Sequence, residues 1–363
     1  MDAERARAAT GIAGSDLERR AATVLAAELE SRGRAVQVQD VKVPGDPGLS
    51  LALHALIALV ATLVGLSSPL VGAAIALITA FSFYGERVLG LPLIGRLVPR
   101  RTTRNVISPP LGPQWETDVD AIFAAGYDTP DSYPTGSWLE RRFDGRFTSD
   151  RILFWGGMIP TFVVLMLRVA EVDGTWLQVI QVVAAALLLG TVAAQVDRRL
   201  AGEPLGADEE LAPARDLITA LEEAERDSDG NAGIAICFFG AESVDAAGAE
   251  AFFADRRLKA KPDLAVIGLV RGAQGSRPEV TAREGDLSTV RMDAGLAAES
   301  PLKPKHVIIR RVTAAGRASR RGARAVTVIG RDDAGIDLLL DVFDGSLPNF
   351  ESQSSASPRR SNR

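Results

Sequence analysis

Histidine and cysteine are nearly missing from this chain, which has two histidines and one cysteine among 363 residues. One cysteine excludes a disulfide framework and any cysteine-rich zinc module. Two histidines leave little material for a histidine-rich metal site. An excess of positive charge is also lacking, since 41 basic residues stand against 46 acidic ones for a net charge of -5. Nucleic acid is therefore not an expected partner. Residues 1–20 lack the apolar core of a secretory signal, so export is not expected either. Aromatic residues make up only 6%.

Apolar residues, in contrast, are abundant. Mean hydropathy is +0.10 although 24% of residues are charged, so the apolar ones must be concentrated. They form four runs, Leu49–Leu66, Leu70–Tyr84, Ile152–Leu167 and Trp176–Ala194, with His54 the only strongly polar member of the first. Each is near the ~20 residues a helix needs to cross ~30 Å of hydrocarbon. The alternative is a pair of buried core hairpins. The tight connections and charged flanks favour four membrane helices in two hairpins, with the lipid bilayer as partner. Orientation follows from arginine. Arg87, Arg96, Arg100, Arg101 and Arg104 follow the second run, Arg141, Arg142, Arg146 and Arg151 precede the third, and Arg198 and Arg199 follow the fourth. The positive-inside rule places both termini and the polar mass in the cytoplasm, with the helices in the plasma membrane.

The polar remainder reads as α/β. Ser15 and Glu18 make a capping box ahead of Leu17, Ala21, Val24, Leu25 and Leu29, and Gly33 ends that helix. A strand is expected from Val36 to Val43, and others over Asn105–Ser108, Ala121–Ala125, Gly233–Phe239, Leu264–Val270, His306–Val312 and Ala325–Ile329. Helices are expected over Leu211–Arg226 and Ala246–Phe253. Apolar strands alternating with helices imply a mostly parallel or mixed sheet covered on both faces. The expected organisation is one α/β domain (1–48, 89–150 and 197–350) interrupted by hairpins at 49–88 and 151–196, with a disordered tail at 351–363.

The order of these segments resembles the co-catalytic zinc aminopeptidases of the aminopeptidase Y and aminopeptidase S type, some bacterial members of which carry inserted membrane helices. The resemblance spans most of residues 12–345. It rests on Thr102-Thr103-Arg104-Asn105-Val106-Ile107, on Ala121 to Pro130, on Phe238-Phe239-Gly240-Ala241-Glu242-Ser243 and on Ala325 to Gly330. It implies a zinc-exopeptidase-like three-layer sandwich and two zinc ions bridged by a carboxylate, with a glutamate as general base. Carried over by position, the general base is Glu242 and the bridging carboxylate is Glu209 or Asp208. Asp128 is the residue that orients the first ligand. The first ligand histidine is Gly126, a ligand glutamate is Ser243, a ligand aspartate is Val270, and no histidine follows Gly330. Four of the five ligands that the family would use are thus replaced, and no cofactor is expected.

Each retained carboxylate also has an ordinary structural reading. Glu242 suits a cap or ion pair, Asp128 an Asx-type turn, and residues 208–210 a helix start. His54 suits helix packing. The basic stretch from Lys303 to Arg324 suits either anionic headgroups or pairing with the acidic segment 203–229. The first functional reading is a membrane-anchored, non-catalytic relative that binds a peptide or partner protein at the inner leaflet. The alternative is an active metallohydrolase with an atypical or single-metal site built on Asp128, Glu209 and Glu242, which alone would need zinc. Transport through the helices is the weakest reading, because internal acids and broken helices are lacking.

Overall fold

A computed structural model describes residues 11–44, 47–88, 93–110, 119–128, 149–200, 211–227, 233–254, 264–272, 277–285, 289–297, 300, 302–309, 312–330 and 332–344. Glu209 and the tail from 351 lie outside them. Among the described residues, nine strands form one mixed sheet and nine helices surround or extend from it.

The chain opens with α1 (Asp16–Ser31), β1 (Gln37–Pro44), α2 (Pro47–Ser67), α3 (Pro69–Val88) and β2 (Arg100–Ser108). Then follow β3 (Ala121–Gly126), α4 (Ser149–Val169), α5 (Thr175–Leu200), α6 (Ala212–Asp227), β4 (Ile234–Phe239) and α7 (Ala247–Phe253). The rest comprises β5 (Ala265–Arg271), β6 (Glu279–Glu284), β7 (Val290–Arg291), β8 (Lys305–Ile309), α8 (Ala314–Arg320), β9 (Arg324–Gly330) and α9 (Asp332–Asp344). Strand order is β1-β2-β4-β3-β5-β9-β6-β7, with β8 paired to β6. The centre β4-β3-β5-β9 is parallel, whereas β1 and β2 on one flank and β6 on the other run antiparallel to it.

Strand parity explains the layers. Successive side chains point to opposite faces, and the central strands are apolar on both faces along most of their length, so both faces must be covered. Phe123, Ile236, Ile267 and Val328 pack with α1, α6 and α9 through Leu25, Leu217 and Leu339. Ile122, Cys237, Val266 and Ala325 pack with α7 and α8 through Phe252 and Ala315. The sandwich is therefore three-layered.

Two expectations need correction. Ser15 does cap α1, accepting from the Glu18 N–H at 3.1 Å. The Glu18 carboxylate, however, does not complete a capping box and turns inward instead. Where the basic stretch pairs among the described residues, its partners do not come from the acidic segment. Arg317 and Arg321 meet Glu250, Arg324 meets Asp293, and the acidic helix α6 gives Glu222 and Glu225 to Arg32 and Arg34.

Helices α2 to α5 pack on one another around Ala55, Ala58, Ala61, Ala76, Phe83, Phe154, Met158 and Leu188. Three segments, Pro69–Glu86, Ile152–Val169 and Thr175–Asp197, are long and apolar enough to cross a membrane, and Gly48–Val64 is a shorter apolar helix. Their outward residues include exposed Leu63, Ile78, Phe81, Val163 and Val182. Polar residues point inward instead. His54 Nδ1 donates to the Ser50 carbonyl at 2.7 Å, which leaves Nε2, 3.1 Å from Ser82 Oγ, to accept from that hydroxyl. Thr62 lies 3.2 Å from Thr161, and Gln181 donates to the Thr62 carbonyl at 2.8 Å.

Close approach of α2 and α3 depends on Gly72. A Cβ there would lie 2.7 Å from both the Ala61 carbonyl and Gly65 Cα. Backbone cannot yield as a flexible side chain does, so Gly72→Val is expected to force the helices apart and cost about 2–3 kcal/mol. A thermal midpoint equal to that of the parent chain in the same detergent would refute this.

Candidate functional site

In sheets with parallel strands and crossover helices, ligands gather at the carboxyl ends of the strands. Register places that edge here. Gly126 is level with Phe239, and β2 runs antiparallel to β4, so its amino end points the same way. Pro44 pairs with Arg100 further out in that direction. Helices α2 and α3 are thus inserted at the carboxyl edge, and β3 ends at the same edge before α4.

Two short segments line it, Gly126 to Asp128 after β3 and Gly240 to Ala246 after β4. The second is bent sharply, because Ala241, Asp245 and Ala246 have φ of 54°, 52° and 51°. Left-handed backbone costs a non-glycine residue roughly 1–2 kcal/mol, so the surroundings must hold it. Asp128 does so from one side. Its carboxylate accepts from the Glu242 N–H at 2.7 Å, from the Ser243 N–H at 3.0 Å and from the Ser243 hydroxyl. Burial raises its pKa, and those hydrogen bonds oppose the shift.

Glu18 holds the loop from the other side. Its carboxylate is fully buried and accepts from the Ala241 N–H at 3.1 Å, the Gly14 N–H at 2.6 Å and the Thr103 hydroxyl. Burial pushes its pKa up to about 7, with the nearby Asp128 charge adding to the rise. Gly240 is required at this junction, since a Cβ there would fall onto Thr103 Oγ1 and within 2.6 Å of Glu18 Oε1. Between the two acids lies Tyr127, fully buried, whose hydroxyl donates to the Arg104 carbonyl. Burial raises its pKa well above the usual value.

Glu242 completes the edge. Its Oε1 accepts from the Ala314 N–H at 2.9 Å, at the start of α8, where Thr313 is the N-cap. Its stem fills the volume over Gly126, because a Cβ built on Gly126 would lie 2.5 Å from both Cβ and Cγ of Glu242.

Asp128 and Glu242 therefore come together, but through the Glu242 main chain rather than as paired carboxylates. Glu209 lies outside the described residues. A zinc centre does not fit the residues that are described. The side-chain space at position 126 is occupied by Glu242, and both oxygens of Asp128 face donors. Among the described residues, no three His, Cys, Asp or Glu side chains are grouped to hold a metal ion. Chemically, this edge is a set of carboxylates used as hydrogen-bond acceptors for strained backbone. Glu18, Thr103 and Tyr127 were not anticipated as a group. The only sequence signal was Glu18 at the third position of a helix, where an acid is expected to face its own N-cap.

No family model matches the chain, and no curated protein matches it. Among solved structures it is similar to an aminopeptidase from Aneurinibacillus sp. strain AM-1, with a TM-score of 0.41 and 12% identity over 94% of this chain and 93% of that one. It is also similar to BSAP, a zinc aminopeptidase from Bacillus subtilis. One BSAP structure gives a TM-score of 0.41 and 10% identity over 92% of this chain and 91% of that one. A second gives 0.38 and 10% over 93% and 89%. At such identities the likeness concerns the fold alone, and no residue role here derives from it.

Proposed function

We propose that this chain is a membrane-anchored, non-catalytic relative of the zinc aminopeptidases, whose α/β domain binds a peptide or partner protein at the inner leaflet. The observation that carries the non-catalytic reading is the loop after β4. Asp128 and Glu242 support backbone there, and Glu242 fills the place of a side chain at 126. A hydrolytic site needs a carboxylate facing an activated water. Membrane anchoring is supported by the apolar exterior of α2 to α5 and by the inward placing of their few polar groups, His54, Thr62 and Gln181 among them, a pattern that suits a hydrocarbon surround. On this reading α2 spans with the other three, and both termini lie in the cytoplasm, with the arginines flanking the helices on that side.

The test uses full-length protein purified without chelators, with metal content read by mass spectrometry and hydrolysis followed on amino-acid arylamides. The expected result is far less than one zinc per chain and no hydrolysis above background. About two zinc ions per chain, removable by chelator together with activity, would overturn the reading. One metal per chain with hydrolysis abolished by Glu242→Gln would replace it with the single-metal alternative built on Asp128, Glu209 and Glu242.

A further inference from the structure

Between α3 and β2 the chain makes a short 3₁₀ turn, Ile94–Leu97, and its side chains divide by environment. Val98 is buried, while Leu93 is 60% exposed and Leu97 is 74% exposed. Arg96 and Arg100, on the same short stretch, are exposed as well. Two leucines turned outward among arginines would be costly in water, where each leaves its apolar surface uncovered. The turn is not a loose connection. Its Gly95 N–H donates to Glu86 at 3.0 Å, and Glu86 also accepts from the Ser50 hydroxyl at 2.5 Å. The end of α3, the start of α2 and the turn are thus fastened to one carboxylate. Gly95 is needed for this, because a Cβ there would lie 2.6 Å from Glu86 Oε2. Tyr84, exposed and one helical position group earlier, has the amphipathic ring that settles at headgroup level.

Leucines and arginines held rigidly at the end of an apolar helix match the boundary between acyl chains and headgroups in both polarity and charge. We propose that residues 93–100 form an interfacial anchor, in which Leu93 and Leu97 enter the acyl boundary and Arg96 and Arg100 bind the phosphates of anionic phospholipids. This anchor rests on the membrane reading of α2 and α3. It adds lipid selectivity at a defined point, on the carboxyl-edge side of the sheet where β2 begins.

The experiment places a thiol at position 97 of the full chain (Leu97→Cys) and labels it with an environment-sensitive fluorophore; Cys237 is buried and does not compete. The protein is reconstituted into phosphatidylcholine vesicles with and without phosphatidylglycerol. The expected result is quenching by shallow spin-labelled lipids that strengthens with phosphatidylglycerol. Arg96→Gln with Arg100→Gln should lower the docked-to-undocked ratio about twenty-fivefold in the anionic vesicles, at about fivefold per cation. Gly95→Val should also abolish docking, by displacing the turn from Glu86. A chain that resists alkaline carbonate extraction but keeps its position-97 probe in water overturns the anchor alone. Quenching that is equal with and without phosphatidylglycerol overturns the lipid selectivity. Extraction of the chain by carbonate overturns the membrane reading and the anchor with it.

Discussion

Raising the pH from about 5 to 8 is expected to destabilise the α/β domain, and Glu18→Gln is expected to flatten that dependence. Burial puts the Glu18 carboxyl at about 7 in the fold, against 4.5 unperturbed. Below 4.5 the group is protonated in folded and unfolded chains alike. Between 4.5 and 7 the folded chain keeps a proton that the unfolded chain has released, so each step up in pH favours unfolding. Above 7 both states are ionised and the contribution is gone. The difference amounts to about 3 kcal/mol. Asp128 is shifted in the same direction by burial and adds to the trend. Glu18→Ala is expected to be severe at any pH, because it strands the N–H groups of Gly14 and Ala241 and the Thr103 hydroxyl. Each stranded buried donor costs about 1–3 kcal/mol. Thermal midpoints of full-length protein in one detergent, at pH 5, 6, 7 and 8, check both. A parent profile that rises or stays level across that range would refute the assignment.

The second large effect is expected from Asp128→Ala. Two backbone N–H groups and a hydroxyl lose their shared acceptor, and the left-handed residues Ala241, Asp245 and Ala246 lose the anchor that holds them. The loop then gains by relaxing. The loss is about 2–5 kcal/mol and is concentrated at one end of β4. Hydrogen exchange distinguishes this from general destabilisation. The Ala246 and Ala247 amides, which bond within the loop, should lose at least about thirtyfold protection, while β5 and β9 keep theirs. Asp128→Asn retains one acceptor and should fall between. Unchanged exchange at Ala246 would show that the loop holds itself.

Much of this was legible in the sequence. The central strands announce themselves because a parallel strand covered on both faces is apolar throughout, as in Ile234 to Phe239. The four apolar helices are read by length. Elements that depend on distant partners are less visible. β6 alternates polar and apolar residues around Glu284, a carboxylate that is buried only because Thr281, Thr313 and Thr327 donate to it. α8 is short and made of alanine, glycine, arginine and serine, so its basic residues read as a charge run rather than as a helix pairing with Glu250. α9 was within reach, since Ile336, Leu339 and Val342 recur at helical spacing. The edge was half legible. Position identified Asp128 and Glu242, but nothing local shows that Glu18 folds across to Ala241, 223 residues away.

The place of β4 in the sheet sets an order of assembly. It lies between β2 and β3, yet it is synthesised after both and after all four apolar helices. A nascent chain that has emerged only as far as α6 holds the β1–β2 ribbon and β3 with facing edges unpaired. Completion waits for one six-residue strand, which is apolar at every position. Non-local closure of this kind is slow and leaves exposed edges open to wrong partners. The four apolar helices, already made and packed on one another, hold the two halves near each other until β4 arrives, which gives the inserted segments a part in folding.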